Sequence, residues 1–207
     1  MTELQVFNVE QGTPEWLACR LGIPTASEFQ TLLAKGRGGG VSKERITYLR
    51  KLAGERLTGE PMWTYTNEHM ERGKEMEGEA RDLYAMVAAV EPAQVGFLRR
   101  GDVGCSPDSL IGDDGLLEIK TKLPHLQIAV LEDGVVPPEH MAQLQGQLLV
   151  SGRRWVDFVS YWPGLPPFIK RVERDEAHIA AIKVAADEFL TELAALVERI
   201  TQYRAAA

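Results

Sequence analysis

Cysteine is scarce: Cys19 and Cys105 are the only two in 207 residues, far apart and in no CxxC pair. A reduced, cytoplasmic setting is therefore expected. Long apolar runs are missing as well. Nothing approaches the roughly 18 residues that mark a membrane span, so no membrane association is expected. The opening stretch "MTELQVFNVEQGTPEW" has neither a basic n-region nor an apolar h-region, and no secretory signal is read there. Internal repeats and long low-complexity tracts are absent. Basic residues are in deficit, 23 Lys and Arg against 30 Asp and Glu, for a net charge of −7. That is the wrong overall sign for a nucleic-acid binder. An enzyme can still keep an acidic exterior and focus a basic surface inside a cleft. Carboxylates that hold a metal also enter the sum as negative.

What remains is ordinary for a globular chain, with 44% apolar and 26% charged residues. The length can bury a full core. "TPEWLACRLG" reads as a helix with Thr13 as cap and Pro14 in the first turn. "TASEFQTLLA" repeats the pattern, with Thr25 or Ser27 as cap. Helices are expected from about Lys43 to Leu57 and from about Asn67 to Val90, the second with Ala80, Leu83, Tyr84 and Val87 on one face. "VGFLRRG", "VGCSPDSLIG" and "GLLEIKTK" alternate between glycines and read as strands. A helix over "PPEHMAQLQGQLLVSG" follows, then a strand at "WVDFVSYWP" and an edge strand at "PFIKRVERD". A final amphipathic helix spans Glu176 to Tyr203, its apolar stripe running from Ile179 through Phe189 to Ile200. The expected architecture is α/β, a mixed central sheet flanked by helices, in one domain over 1–207. Its parts are a helical section at about 12–90, a sheet core at about 95–170 and a terminal helix at about 176–203.

The stretch "SPDSLIGDDGLLEIKTK" at 106–122 carries the chemistry. Side chains at i and i+2 of a strand share a face, so Glu118 and Lys120 point together while Leu117 and Ile119 point to the core. "GDDG" is a strong turn signal. It folds the segment holding Asp108 back beside Glu118. Two carboxylates so placed repel, and a hard cation such as Mg²⁺ relieves them. Such an ion polarises a phosphate and lowers the pKa of bound water, and a lysine on the same face stabilises developing charge. The bland alternative is a solvated hairpin with an i, i+2 Glu–Lys pair.

"SPD", nine residues, then "EIK" resembles the PD-(D/E)xK nuclease motif. "EQGTPEWLACRLGIPTASEF" at 10–29, "RGKEMEGEARDLY" at 72–84 and "HMAQLQGQLLVSG" at 140–152 resemble, in order, further blocks of the lambda-type (YqaJ-like) phage exonucleases. The resemblance implies a PD-(D/E)xK core and assigns roles. Asp108, Glu118 and the Ile119 carbonyl would bind metal with Glu77, for which Glu75 and Glu79 are rivals. Glu77 and Arg81 would otherwise be an i, i+4 surface pair. Lys120 would be the catalytic lysine, and Gln143 would orient water or phosphate. Arg20, Ser27 and Ser106 would hold the 5′-phosphate of a DNA end. A further family arginine has no match in "KTKLPHLQIAV", where Lys122 or His125 would substitute. His140 stands where relatives carry tyrosine and is not read as catalytic.

The resemblance also implies digestion of one strand of double-stranded DNA, 5′ to 3′, leaving 3′ overhangs. Two Mg²⁺ ions (Mn²⁺ as an alternative) would assist in-line attack by water, with the 3′-oxygen leaving. A homotrimeric ring and a single-strand annealing protein as partner are implied too. The rival readings are an endonuclease of restriction or repair and a non-catalytic DNA-binding module. The loop "KGRGGGVSK" fails the phosphate-loop template and reads as a basic arm near DNA. Trp16 is expected in the core. Met62 and Trp63 are read as core or as a wedge for a duplex end.

Overall fold

The computed structural model describes residues 2–62 and 68–206. Two sheets organise them. The smaller has the order β1-β3-β4, from Leu4–Phe7 (β1), Phe97–Arg100 (β3) and Val103–Cys105 (β4). The larger has the order β2-β5-β6-β7-β8, from Pro92–Ala93 (β2), Ser109–Ile111 (β5), Gly115–Thr121 (β6), Trp155–Tyr161 (β7) and Phe168–Glu173 (β8). It is mixed: β6 and β7 are parallel, whereas β5–β6 and β7–β8 are antiparallel. A parallel pair needs a long crossover. Here Pro124–Asp133 (α5) and Met141–Ser151 (α6) provide it. The remaining helices are Pro14–Arg20 (α1), Phe29–Leu33 (α2), Lys43–Thr58 (α3), Glu68–Ala88 (α4) and Glu176–Ala206 (α7).

Helix boundaries follow local chemistry. The Thr13 side chain caps α1 by accepting from the Trp16 N–H, with Pro14 in the first turn. Ser42 caps α3 through the Arg45 N–H, and Gly59 closes it at φ 73°, a conformation that suits glycine.

Strand β6 is covered on both faces. Leu117 and Ile119 pack with Ala80 and Tyr84 of α4. Leu116 packs with Leu144 and Leu148 of α6, beside Val156 and Phe158 of β7. Glu118 therefore lies under α6 and is only 2% exposed, which excludes a solvated hairpin face. Ile182, Phe189 and Leu193 of α7 complete a second core with α2, α3 and α6.

Some expectations need correction. Val87 is 60% exposed, unlike Ala80 and Tyr84. Ile200 is 41% exposed, outside the core that Phe189 and Leu193 join. Helix α5 and strands β1 and β2 were not anticipated. The glycine loop folds on itself, with a Lys35–Val41 bridge and the Gly36 N–H donating to the Gly40 carbonyl at 2.7 Å. Met62 is 52% exposed and so is not core; Trp63 lies outside the described residues.

Candidate active site

Strand β4 ends at Cys105 and β5 begins at Ser109, so Ser106-Pro107-Asp108 is the connector between the two sheets. The Asp108 N–H donates to the Leu117 carbonyl at 3.0 Å. Its Oδ2 accepts from the Ile119 N–H at 2.5 Å. These bonds fix Asp108 against the edge of β6. In a strand the N–H and C=O of one residue leave the same edge, so the Ile119 carbonyl emerges beside Asp108.

Glu118 accepts from three donors. Its Oε1 takes Lys120 Nζ at 2.6 Å and Gln143 Nε2 at 2.5 Å, and its Oε2 takes Gln147 Nε2 at 2.6 Å. Gln143 and Gln147 are i, i+4 on α6 and share a helix face. Sequence reasoning missed Gln147, although its spacing from Gln143 was the signal. The Gln147 Oε1 is buried without a hydrogen-bond partner.

Electrostatics mark this spot. Burial pushes the Asp108 carboxyl well above its ordinary range, and the charges of Glu118 and Glu77 push the same way. The Ile119 N–H and Lys120 only partly offset them. For Lys120, burial favours the neutral amine, but Glu118, Asp108 and Glu77 outweigh it and raise its pKa. Glu77 is ion-paired with Arg81, whose Nε donates to Ser109 Oγ at 3.1 Å. The surface-pair expectation for Glu77 and its field on Asp108 therefore coexist. Glu79 accepts from Tyr161 OH at 2.5 Å. The Glu75 side chain lies outside the described residues.

Whether a cation fits can be judged from the donors. Hard divalent ions take oxygen ligands, and Mg²⁺ needs only one or two carboxylates. Asp108, Glu118 and the Ile119 carbonyl are such a set, and the crowded negative charge on Asp108 is what a cation relieves. No group of three His, Cys, Asp or Glu side chains close enough to hold an ion occurs among the described residues. The set is thus two carboxylates and a backbone oxygen, with Glu77 turned to Arg81.

Two of the three residues expected to hold a phosphate, Arg20 and Ser106, meet at Trp16, and Ser27 is linked to Arg20 through Thr25. The Arg20 guanidinium lies 4.0 Å from the Trp16 ring centroid. The indole N–H donates to Ser106 Oγ at 2.9 Å and to the Gly96 carbonyl at 3.0 Å. Arg20 Nη2 is 3.4 Å from Thr25 Oγ1, which is 3.2 Å from Ser27 Oγ. Trp16 is thus a partly exposed bridge, not a core residue. Helix α3 holds the loop beneath. Glu55 accepts from the Gly22 N–H at 2.9 Å, Arg56 Nε donates to the Gly22 carbonyl at 2.8 Å, and Tyr48 OH accepts from the Thr25 N–H at 3.2 Å.

On the Lys120 side, Lys122 Nζ sits 3.0 Å from His140 Nε2, and the His140 ring stacks on Phe158 with centroids 5.3 Å apart. Burial and the two lysines depress His140 to about 4, so it is neutral at pH 7. His125 is exposed on α5.

A mixed sheet with Asp108 bonded at Ile119, between Glu118 and Lys120, has the arrangement of a PD-(D/E)xK core. The chain belongs to the YqaJ-like viral recombinase domain family, whose pattern matches residues 15–154. It is similar to the alkaline exonuclease LHK-Exo from Laribacter hongkongensis, with 37% identity over 94% of this chain and 99% of that chain and a TM-score of 0.85. The structure of LHK-Exo in complex with dAMP matches at the same identity and coverage with a TM-score of 0.86. A phage related exonuclease from Haemophilus somnus 129PT shares the fold, with a TM-score of 0.64 and 14% identity over 86% of this chain and 96% of that chain. A search of curated proteins gives no match. Family and relatives together make the chain a nuclease. No helix among the described residues is long and apolar enough to cross a membrane.

Proposed function

We propose that the protein is a Mg²⁺-dependent exonuclease that degrades one strand of double-stranded DNA from its 5′-phosphorylated end. The observation that carries this reading is the connector. Ser106 accepts from the same Trp16 on which Arg20 stacks, and Asp108 follows two residues later beside Glu118. A terminal-phosphate site and a hydrolytic site would then be one short segment apart. The alkaline exonuclease activity named for LHK-Exo supports the exonuclease class.

Arg20, with its planar donor fork, would grip the terminal phosphate with Ser27 and Ser106. Asp108, Glu118 and the Ile119 carbonyl would hold Mg²⁺, or Mn²⁺, with Glu77 reaching a second ion. Bound cations would neutralise the carboxylates and polarise the scissile phosphate. Lys120, kept protonated by Glu118 and Asp108, would stabilise negative charge developing on the phosphate rather than act as a base. Gln143 would hold Glu118 in register. Neutral His140 would take no part in proton transfer.

The 3′ overhangs so produced suit recombination by strand annealing, with a single-strand annealing protein as partner. A homotrimeric ring with a basic bore would reconcile the net charge of −7 with a DNA substrate. The test is a time course on end-labelled linear duplex in Mg²⁺, with and without a 5′-phosphate, beside closed circular DNA. Faster loss of the phosphorylated strand is expected, abolished in Lys120→Ala and Asp108→Ala. Cutting of circles, or unchanged activity in those variants, overturns the proposal.

A further inference from the structure

Beside the carboxylates lies a cleft of about 340 Å³ that the steps above leave unused. Arg72, Lys120, Lys122, His140 and Trp162 are among its walls. None of Arg20, Ser27 and Ser106 lines it, so it is distinct from the phosphate cluster. Lys120 belongs to both the cleft and the carboxylate site. We propose that this cleft seats the nucleotide on the 3′ side of the scissile bond, its base against the Trp162–Arg72 wall and its 3′-phosphate on Lys122. The inference rests on the exonuclease reading.

Placement comes from the sheet. Lys122 continues the strand beyond Thr121, its N–H donating to the Tyr161 carbonyl at 3.0 Å. Lys120 and Lys122, at i and i+2, therefore share a face and step outward from Glu118. Two cations in step can meet successive phosphates of one strand. Lys120 is bound to Glu118 at 2.6 Å, whereas among the described residues Lys122 pairs only with Glu139, 3.8 Å away and 61% exposed. So loose a pair leaves Lys122 short of counter-charge: burial and Lys120 lower its pKa against the pull of Glu139, and an incoming anion would supply what Glu139 does not. His140 fixes Lys122 in place and, being neutral, adds no competing charge.

Trp162 and Arg72 bring planar groups to the lining. The Arg72 guanidinium lies 4.8 Å from the Trp162 ring centroid. Guanidinium and indole planes both stack on nucleobases without regard to sequence. An enzyme that consumes any sequence needs that tolerance. The volume also falls in the range of small-ligand sites.

The test measures kcat/KM on 5′-phosphorylated duplex in Mg²⁺ with an abasic residue at nucleotide 2 or nucleotide 4 of the degraded strand. In the wild type, loss of base 2 should cost about ten-fold and loss of base 4 almost nothing. Trp162→Ala should lose about ten-fold on intact DNA and nothing more when base 2 is absent; Trp162→Phe should recover most of the loss. A neutral methylphosphonate after nucleotide 2 should slow the wild type but not Lys122→Met, a result that stands whether or not Trp162→Ala folds. Losses that multiply in either pairing overturn the proposal, as does an equal cost at nucleotide 4. So does a Trp162→Ala variant whose only defect is weaker inhibition by free dAMP, which would make the cleft a product site. Failure of the wild type to degrade intact duplex sinks the exonuclease reading itself, whereas normal degradation with multiplying losses sinks the subsite alone.

Discussion

Replacing Glu118 by leucine or by glutamine separates its structural role from its chemical one. Leucine leaves three donors, Lys120 Nζ, Gln143 Nε2 and Gln147 Nε2, without their acceptor. The Lys120 side chain is 30% exposed and Gln143 is partly exposed, so both can turn to water. Gln147, 1% exposed, cannot. One stranded buried donor costs about 1–3 kcal/mol, and with partial losses at the other two the variant should be destabilised by roughly 2–4 kcal/mol. Glutamine fares differently. Its carbonyl still accepts from Lys120 and Gln143, and its NH₂ faces Gln147. A half-turn of the Gln147 amide then presents Oε1, the atom that has no partner in the parent protein. The charge pair with Lys120 is lost, but so is repulsion from Asp108, and the stability change should stay within about 1 kcal/mol. Both variants should lose at least about a hundred-fold in single-turnover release from end-labelled duplex. Urea denaturation reads the stabilities. Equal destabilisation of the two variants would refute the hydrogen-bond account. A Glu118→Gln enzyme within about ten-fold of wild type would refute a cation-holding carboxylate at this position.

Three further outcomes are expected. Because the folded-state pKa of Asp108 is raised, folded protein binds more protons than unfolded above the ordinary carboxylate range, so metal-free protein should lose stability as pH rises through that window. Thermal melts should show this slope, its flattening in Asp108→Asn, and a Mg²⁺ stabilisation that grows with pH. Gly146→Ala would gain about 1 kcal/mol of helix propensity in an open site. Here its Cβ would lie 2.3 Å from Phe29 Cδ2, so a net cost of about 1–3 kcal/mol should appear in the denaturation midpoint. Arg20→Met should lower the rate ratio of 5′-phosphorylated to 5′-hydroxyl ends by about ten-fold or more, the effect of one charge-assisted hydrogen bond, with little change on hydroxyl ends.

The hairpin was readable because its signals are local. A "GDDG" turn and a two-residue alternation suffice to bring Asp108 beside Glu118. What stayed hidden depends on partners distant in sequence. Helix α5 starts at Pro124 without a side-chain cap and has only a weak apolar stripe, so neither capping nor periodicity announces it. Strand β1 spans four residues and is defined by pairing with β3, 90 to 96 positions away. Val87 continues the apolar spacing of Ala80 and Tyr84, yet lies where no neighbour covers it; periodicity names a face but not how far the covering element reaches. Trp16, expected in the core, is partly exposed. Its N–H needs an acceptor, and that need is met by Ser106, 90 residues on.

The connector between the sheets also sets a limit on how long the site can persist. Asp108 has no element of its own; it hangs between the end of β4 and the start of β5. The small sheet anchors one end through four registered pairs between β1 and β3 and three between β3 and β4. If that sheet opens while the larger one stays folded, Asp108 keeps its bonds to Leu117 and Ile119, but Ser106, next to the freed end of β4, loses its fixed position against Trp16. Partial opening of this kind is ordinarily less costly than global unfolding. The lifetime of the Arg20–Ser106 cluster is then governed by the small sheet, and amide exchange along β4 would report its loss before the carboxylates part.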